Sequence, residues 1–144
     1  MTKTILVPVD FTELGLLDKV VSHLKSLSCA DELNIHFLSV IPSYESFVGF
    51  AFVGQDRLAS DKQRIEIALS TLKEGVSHVE IPNSTIQFYV AIGNPREKIL
   101  ETAQKIQAEL IIIGSRNPGM KSYLLGSTAS SVVSYANTSV LVVR

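Results

Sequence analysis

Cysteine is almost absent from this chain of 144 residues, and Cys29 is its sole example. An intrachain disulfide and a cysteine-rich metal site are therefore excluded. Charge of one sign is also absent: 13 Lys and Arg residues stand against 14 Asp and Glu, a formal net charge of −1, with no long block of either kind. A broad basic surface for nucleic acid or anionic lipid is not expected from such a balance. No apolar run reaches the about 20 residues that a membrane-spanning helix needs. Met1-Thr2-Lys3-Thr4 leads into a short apolar run that soon meets Pro8 and Asp10, which is not the pattern of a signal peptide. A cytoplasmic protein with no membrane or nucleic-acid partner is the default expectation.

Apolar residues are plentiful. Hydrophobic side chains make up 46% of the sequence, enough to fill a substantial core and too many for a disordered chain. The length suits a single domain over residues 1–144. Ile5-Leu6-Val7-Pro8-Val9 reads as a buried strand ended by Asp10-Phe11-Thr12. Thr12 is placed to cap a helix carrying Leu16, Leu17, Val20, Val21, Leu24 and Leu27. Leu33 to Ile41 is a second strand, with His36 inside it as an expected hydrogen-bonded strand histidine. Pro42 to Gln55 shows no period, although it holds Tyr44, Phe47, Phe50 and Phe52; loops this long in compact domains usually serve function or motion.

From about Arg57 the helical period returns through Leu58, Ile65, Leu69, Leu72 and Val76. Thr85 to Ile92 alternates as a third strand. Asn94-Pro95-Arg96-Glu97 is a helix start in which Asn94 caps, Pro95 takes the first position and Glu97 can bond back to the cap. Ile99, Leu100, Ala103 and Ile106 face inward from it. Leu110 to Ile113 is a fourth strand, followed by a glycine-bearing loop and a helix through Val132, Val133 and Ala136. Ser139 to Arg144 is the last strand. Four strand–helix pairs and a closing strand argue for a parallel sheet with helices on both faces.

Ligands of such sheets sit beyond the carboxyl ends of the strands, where strand order reverses. Two segments carry suitable chemistry. Pro8-Val9-Asp10-Phe11 follows the first strand, and Asp10 can accept hydrogen bonds from a ribose or an adenine amino group; capping the first helix is the alternative reading, and both stand open. The second segment runs from Gly114 to Thr128. Free N–H groups where a helix opens at Gly126-Ser127-Thr128, with small residues around them, suit an anion such as phosphate, while a plain turn and helix start remain the alternative. Arg116 and Lys121 lie between its ends, as solvated loop charges or beside the anion. The segment is not a P-loop: Met120 separates Gly119 from Lys121-Ser122, and Leu124-Leu125 separates the lysine from Gly126.

Together these residues resemble the universal stress protein family over essentially the whole chain. The likeness rests on Ile5 to Phe11 with its Pro-x-Asp turn, Val40-Ile41, Gly93-Asn94-Pro95, Gly114-Ser115, Leu124-Leu125-Gly126-Ser127 and Ser139 to Val143. It implies a doubly wound α/β fold of the adenine nucleotide alpha hydrolase-like kind, with five parallel strands in the order 3-2-1-4-5. It also implies an adenine nucleotide, ATP or AMP, that can bring Mg2+ with its phosphates. Pro8, Val9, Asp10 and Val40 would border the adenosine, and Gly114, Ser115, Arg116, Asn117, Gly126, Ser127 and Thr128 the ribose and phosphates. The family's ATP-binding pattern, Gly-x2-Gly-x9-Gly-Ser/Thr, is met with one residue fewer: Asn117 stands where the second glycine belongs, a position it can fill because asparagine tolerates a left-handed backbone. The closest likeness is to the short-loop F and G type subgroup.

The resemblance implies a nucleotide-binding stress-response protein whose output follows occupancy. A non-nucleotide-binding interaction module and a slow ATPase are the alternatives; no dedicated water-activating base is evident, although Arg116 is available as a charge stabiliser. His23, His36 and His78 lack metal-ligand spacing, no Gly-x-Ser-x-Gly elbow is present, and Glu97 with Glu101 reads as a solvated helix face. Cys29 reads as a buried or idle thiol. The apolar last strand would form a sheet edge without proline, which a second copy can cover by pairing about a two-fold axis. A homodimer through residues 138–144 is expected.

Overall fold

A computed structural model describes residues 2–10, 15–43, 60–115 and 125–144. Among the described residues nine elements follow one another: β1 (Thr2–Pro8), α1 (Leu17–Ser28), β2 (Glu32–Ile41), α2 (Asp61–Gly75), β3 (Ser84–Ile92), α3 (Pro95–Lys105), β4 (Leu110–Gly114), α4 (Ser127–Tyr135) and β5 (Ser139–Val143). The strands form one sheet of order β3-β2-β1-β4-β5, and every neighbouring pair is parallel. The expected fold class and strand order are both present.

Alternation along the central strands divides the core into two layers. Ile5 and Val7 of β1 and Ile35 and Phe37 of β2 pack on one face with Leu17, Val20, Val21 and Leu24 of α1 and Leu72 of α2. Leu6, Leu38, Ile111 and Ile113 pack on the other with Ile99 and Ala103 of α3 and Ala129 and Val132 of α4. Helices therefore cover both faces. This is why β1 and β4 read as unbroken apolar runs, since each successive side chain meets a helix.

Several local expectations change. Thr12 lies outside the described residues, and α1 begins after Leu16, which offers no side-chain cap bond. Asn94 does accept from the Glu97 N–H at 3.3 Å, but the return bond from Glu97 is not among the bonds of that cap. The reciprocal cap occurs instead at α2, where Ser60 Oγ accepts from the Gln63 N–H at 3.2 Å and Gln63 Oε1 accepts from the Ser60 N–H at 3.1 Å. Val133 is 46% exposed and faces outward, because Ala129 and Val132 already fill the inner stripe of the short α4. Cys29 is exposed, so its thiol is not buried. The aromatic residues from Tyr44 to Phe52 and Leu58 lie outside the described residues.

His36 departs from expectation more sharply. Its ring is only 5% exposed, yet neither Nδ1 nor Nε2 meets a hydrogen-bond partner among the described residues. It stacks on Tyr89 instead, with ring centroids 5.4 Å apart and planes 11° apart. Burial alone lowers its pKa from the ordinary 6.5.

The layer arrangement makes a stability prediction. Leu24 is fully buried beneath the sheet, whereas Ile67 on α2 is an exposed apolar residue. Leu24→Ala should remove about 3 kcal/mol of unfolding free energy through lost burial and a residual cavity, while Ile67→Ala should stay within about 0.5 kcal/mol. Urea titrations of the two variants compare these outcomes directly.

Candidate functional site

The crevice follows from strand order. From β1 the chain passes through α1 to β2 on one side, whereas β4 arrives on the opposite side after α3, so β1 and β4 flank the point where order reverses. Leu6 pairs with Ile111. Beyond that pair both chains run on toward the carboxyl end of the sheet, through Val9 and Asp10 after β1 and through Gly114 and Ser115 at the end of β4. The Val9 N–H donates to the Leu38 carbonyl at 2.8 Å, which holds the turn against β2 beyond Pro8. Val40 lies two residues farther along β2, half-buried and paired with Ala91. Asp10 is exposed.

On the other side of the crevice, β4 ends at Gly114. The Ser115 N–H donates to the Val143 carbonyl at 2.8 Å, and the Ser115 carbonyl accepts from the Gly126 N–H at 2.7 Å. The second bond fastens the start of α4 to the end of β4. Gly126 occupies the cap position of α4 in extended conformation and offers no side chain to its first turn. The first intrahelical bond is Ser130 N–H to the Gly126 carbonyl at 2.9 Å. The N–H groups of Ser127, Thr128 and Ala129 consequently have no acceptor among the described residues. They form a partial positive end of the helix with small side chains around it.

Pro8, Val9, Asp10, Val40, Gly114, Ser115, Gly126, Ser127 and Thr128 thus lie at the carboxyl end of the sheet or at the start of α4. Arg116, Asn117 and Lys121 lie outside the described residues. Gly114 also has a packing role that its local sequence does not reveal. A Cβ there would lie 2.8 Å from Leu16 Cδ1, so the absent side chain lets the residue just before α1 close over the end of β4. A second unforeseen tie is Lys19 Nζ, which donates to the Arg144 carbonyl at 2.8 Å and fastens the end of the chain to α1. Both connect segments more than 90 residues apart in sequence, which no local pattern encodes.

Other candidate chemistry lies elsewhere. Among the described residues no group of three or more His, Cys, Asp or Glu could hold a metal ion. An open groove of about 570 Å³ runs beside α1, lined in part by Asp18, Lys25, Cys29, His78 and Glu80. Within it His78 Nε2 and Asp18 Oδ1 lie 3.9 Å apart, on side chains that are both largely exposed. No helix of the described residues is long and apolar enough to cross a membrane.

Fold and crevice define a doubly wound, five-stranded parallel α/β domain with a helix starting at a glycine beside its switch point. The chain belongs to the Universal stress protein family, whose sequence model matches residues 1–144. Universal stress protein G of Escherichia coli O157:H7 is 42% identical over 149 aligned positions, covering 100% of both chains. Among solved structures, the hypothetical protein MJ0577 aligns with a TM-score of 0.69 at 26% identity, covering 98% of this chain and 94% of that one. The universal stress protein from Archaeoglobus fulgidus described in complex with dAMP aligns with a TM-score of 0.59 at 20% identity, covering 99% and 98%; that likeness is one of fold.

The Gly114–Leu16 contact can be tested apart from any ligand. The obstructing atom is the far end of a flexible side chain, so Gly114→Ala should cost only about 1 kcal/mol, within the common range for point substitutions. Most of that cost should disappear in a Leu16→Ala background, which a double-mutant cycle by chemical denaturation measures.

Proposed function

We propose that this universal stress protein binds an adenine nucleotide, ATP or AMP, in the crevice between β1 and β4, and that its output follows occupancy. The observation that carries this reading is the Ser115–Gly126 backbone bond. It holds three N–H groups of α4, without an acceptor among the described residues, at the same end of the sheet as Asp10 and Val40. A lone anion would need only the helix start; a carboxylate and two valines beside it suit the remaining parts of a nucleoside phosphate.

On this reading Val9 and Val40 contact the base, Asp10 accepts from ribose or the adenine amino group, and Pro8 shapes the turn that presents it. Gly114, Ser115, Gly126, Ser127 and Thr128 hold ribose and phosphates, with Arg116 and Asn117 completing the loop between them. Mg2+ would arrive with the phosphates and take most of its ligands from them and from water. The fit is supported by small residues and free donors at α4, and by a relative of the same fold described in complex with dAMP. The protein acts in stress response in the cytoplasm as a binding protein, with at most slow ATP hydrolysis. It works as a homodimer in which residues 138–144 of two copies meet. Edge position of β5, with exposed Val133 and Tyr135 on the neighbouring α4, supports that pairing.

Ligand bound only by the folded state stabilises it by mass action, about 2.7 kcal/mol at one hundred times Kd. Millimolar ATP or AMP should therefore raise Tm by several degrees, and mass spectrometry of denatured purified protein should find an adenine nucleotide. The absence of both effects would sink the proposal. Gly126→Asp should remove the shift, because its carboxylate takes the free N–H groups and repels phosphate. Light scattering at micromolar concentration should give the mass of two chains; monomer alone would reject the dimer.

A further inference from the structure

Beyond the nucleotide reading, and independent of it, we propose that His36 and Tyr89 form a proton-operated latch that holds the β3 edge against β2. His36 and Leu38 of β2 pair across the strands with Gln87 and Tyr89 of β3. Tyr89 therefore stands diagonally from His36, two residues along, and its ring returns to lie parallel over the imidazole. The Tyr89 hydroxyl donates to Gln87 Oε1 at 2.7 Å, which fixes the ring in that position. One side of the imidazole is thus covered by an aromatic ring that is itself 37% exposed. Across on β1, the paired residue is the fully buried Leu6.

The arrangement accommodates a neutral imidazole and has no provision for a charged one. An imidazolium presents two N–H donors, and neither ring nitrogen has an acceptor among the described residues. Tyr89 has a ring face to offer, but a ring face does not replace two missing acceptors in a dry layer.

Charged groups among the described residues do not supply the compensation. On β2 itself Glu32 accepts from Thr2 at 3.3 Å, and β1 presents Leu6 and Thr4 on this face. On α3, Lys98 and Glu101 pair with each other at 3.3 Å, Arg96 lies over the Tyr135 ring of α4, and Glu97 and Lys105 are exposed. β3 contributes Tyr89 and the uncharged Gln87 and Thr85, and Glu109 before β4 is exposed. Among the described residues, burial is what shifts the His36 pKa, and it opposes the charge.

Protonation must therefore expose the ring. The easiest route is outward movement of Tyr89, since β3 is an edge strand paired on one side only, whereas β1 and β2 are held on both sides. The sign follows from linkage. Burial in the closed form lowers the His36 pKa from its ordinary 6.5, so the open form, which exposes the ring to water, binds a proton more readily as pH falls. The open population should then grow as pH falls from about 6.5, by up to about tenfold per pH unit, until the closed form itself titrates.

Two-dimensional NMR of the full chain tests the latch. His36 should titrate below 6.5, with the exposed His23 and His78 resolved separately as internal references. After correction for intrinsic exchange, amide protection in β3 should fall between pH 7.5 and 5 while protection of Ile5 to Val7 stays constant. His36→Phe keeps a stacked ring without a titrating group, and it should remove the pH response of β3. Tyr89→Ala should move the His36 titration toward 6.5. The proposal is overturned by a His36 that titrates at or above 6.5 in the native protein, or by a β3 response that is the same with and without His36. It is also overturned by a titration indifferent to Tyr89→Ala. If His36→Phe does not fold, the native titration and the Tyr89→Ala comparison decide the matter together.

Discussion

The middle strand is the constraint on which the rest of the architecture depends. β1 is bonded to β2 on one side and β4 on the other, and its Ile5, Leu6 and Val7 are buried at 0%, 0% and 1% exposure. Side chains of that kind stabilise by roughly 1.5–3 kcal/mol each when withdrawn from water, but only if both faces are covered. Ile5 and Val7 require α1, and Leu6 requires the layer of α3 and α4. A helix on each face forces the chain to wind in two directions from the middle, and that reversal creates the crevice at the ends of β1 and β4. The candidate site is in this sense a by-product of satisfying three adjacent apolar residues.

Coverage weakens toward the margins, and the two edges differ. β3 buries Ile86 and Phe88 against one core layer while Thr85, Gln87 and Tyr89 meet solvent on the other face. Its exposed face is more polar than that of the central strands. β5 instead presents Val140, Leu141 and Val142 half-buried, with exposed Val133 and Tyr135 nearby. The chain therefore has one hydrated margin and one apolar margin, so a partner copy has a thermodynamic reason to choose the second. His36 sits where the covered middle gives way to the hydrated margin, which explains how a histidine without partners can be both buried and within one side-chain movement of water.

Strand positions were legible because β-branched and apolar runs bounded by turn residues report directly on burial, and strand order followed from the family likeness. Asn94-Pro95 announced α3 because a cap is a local device. Cap details were less legible where they depend on rotamers, as for Glu97, or on where a helix settles, as for Leu16 in place of Thr12. At the candidate site, Gly114 and Gly126 were visible as glycines, but their neighbours were not: Leu16 over Gly114, and Val143 accepting from Ser115, come from distant segments. His36 looked like a residue that would find a partner. Only the geometry of the β2–β3 pair shows that it finds a ring instead.

The bond between Ser115 and Gly126 also bears on how the family can vary. With both ends of the intervening ten residues clamped to the frame, the helix start and the strand end keep their positions whatever lies between. For a segment near this length, adding or removing one residue changes closure entropy by only about 0.1 kcal/mol. Loop length between those anchors can accordingly change by a residue at little cost to the fold. The one-residue shortfall of this chain against the family's nucleotide pattern is the sort of change such a clamp permits.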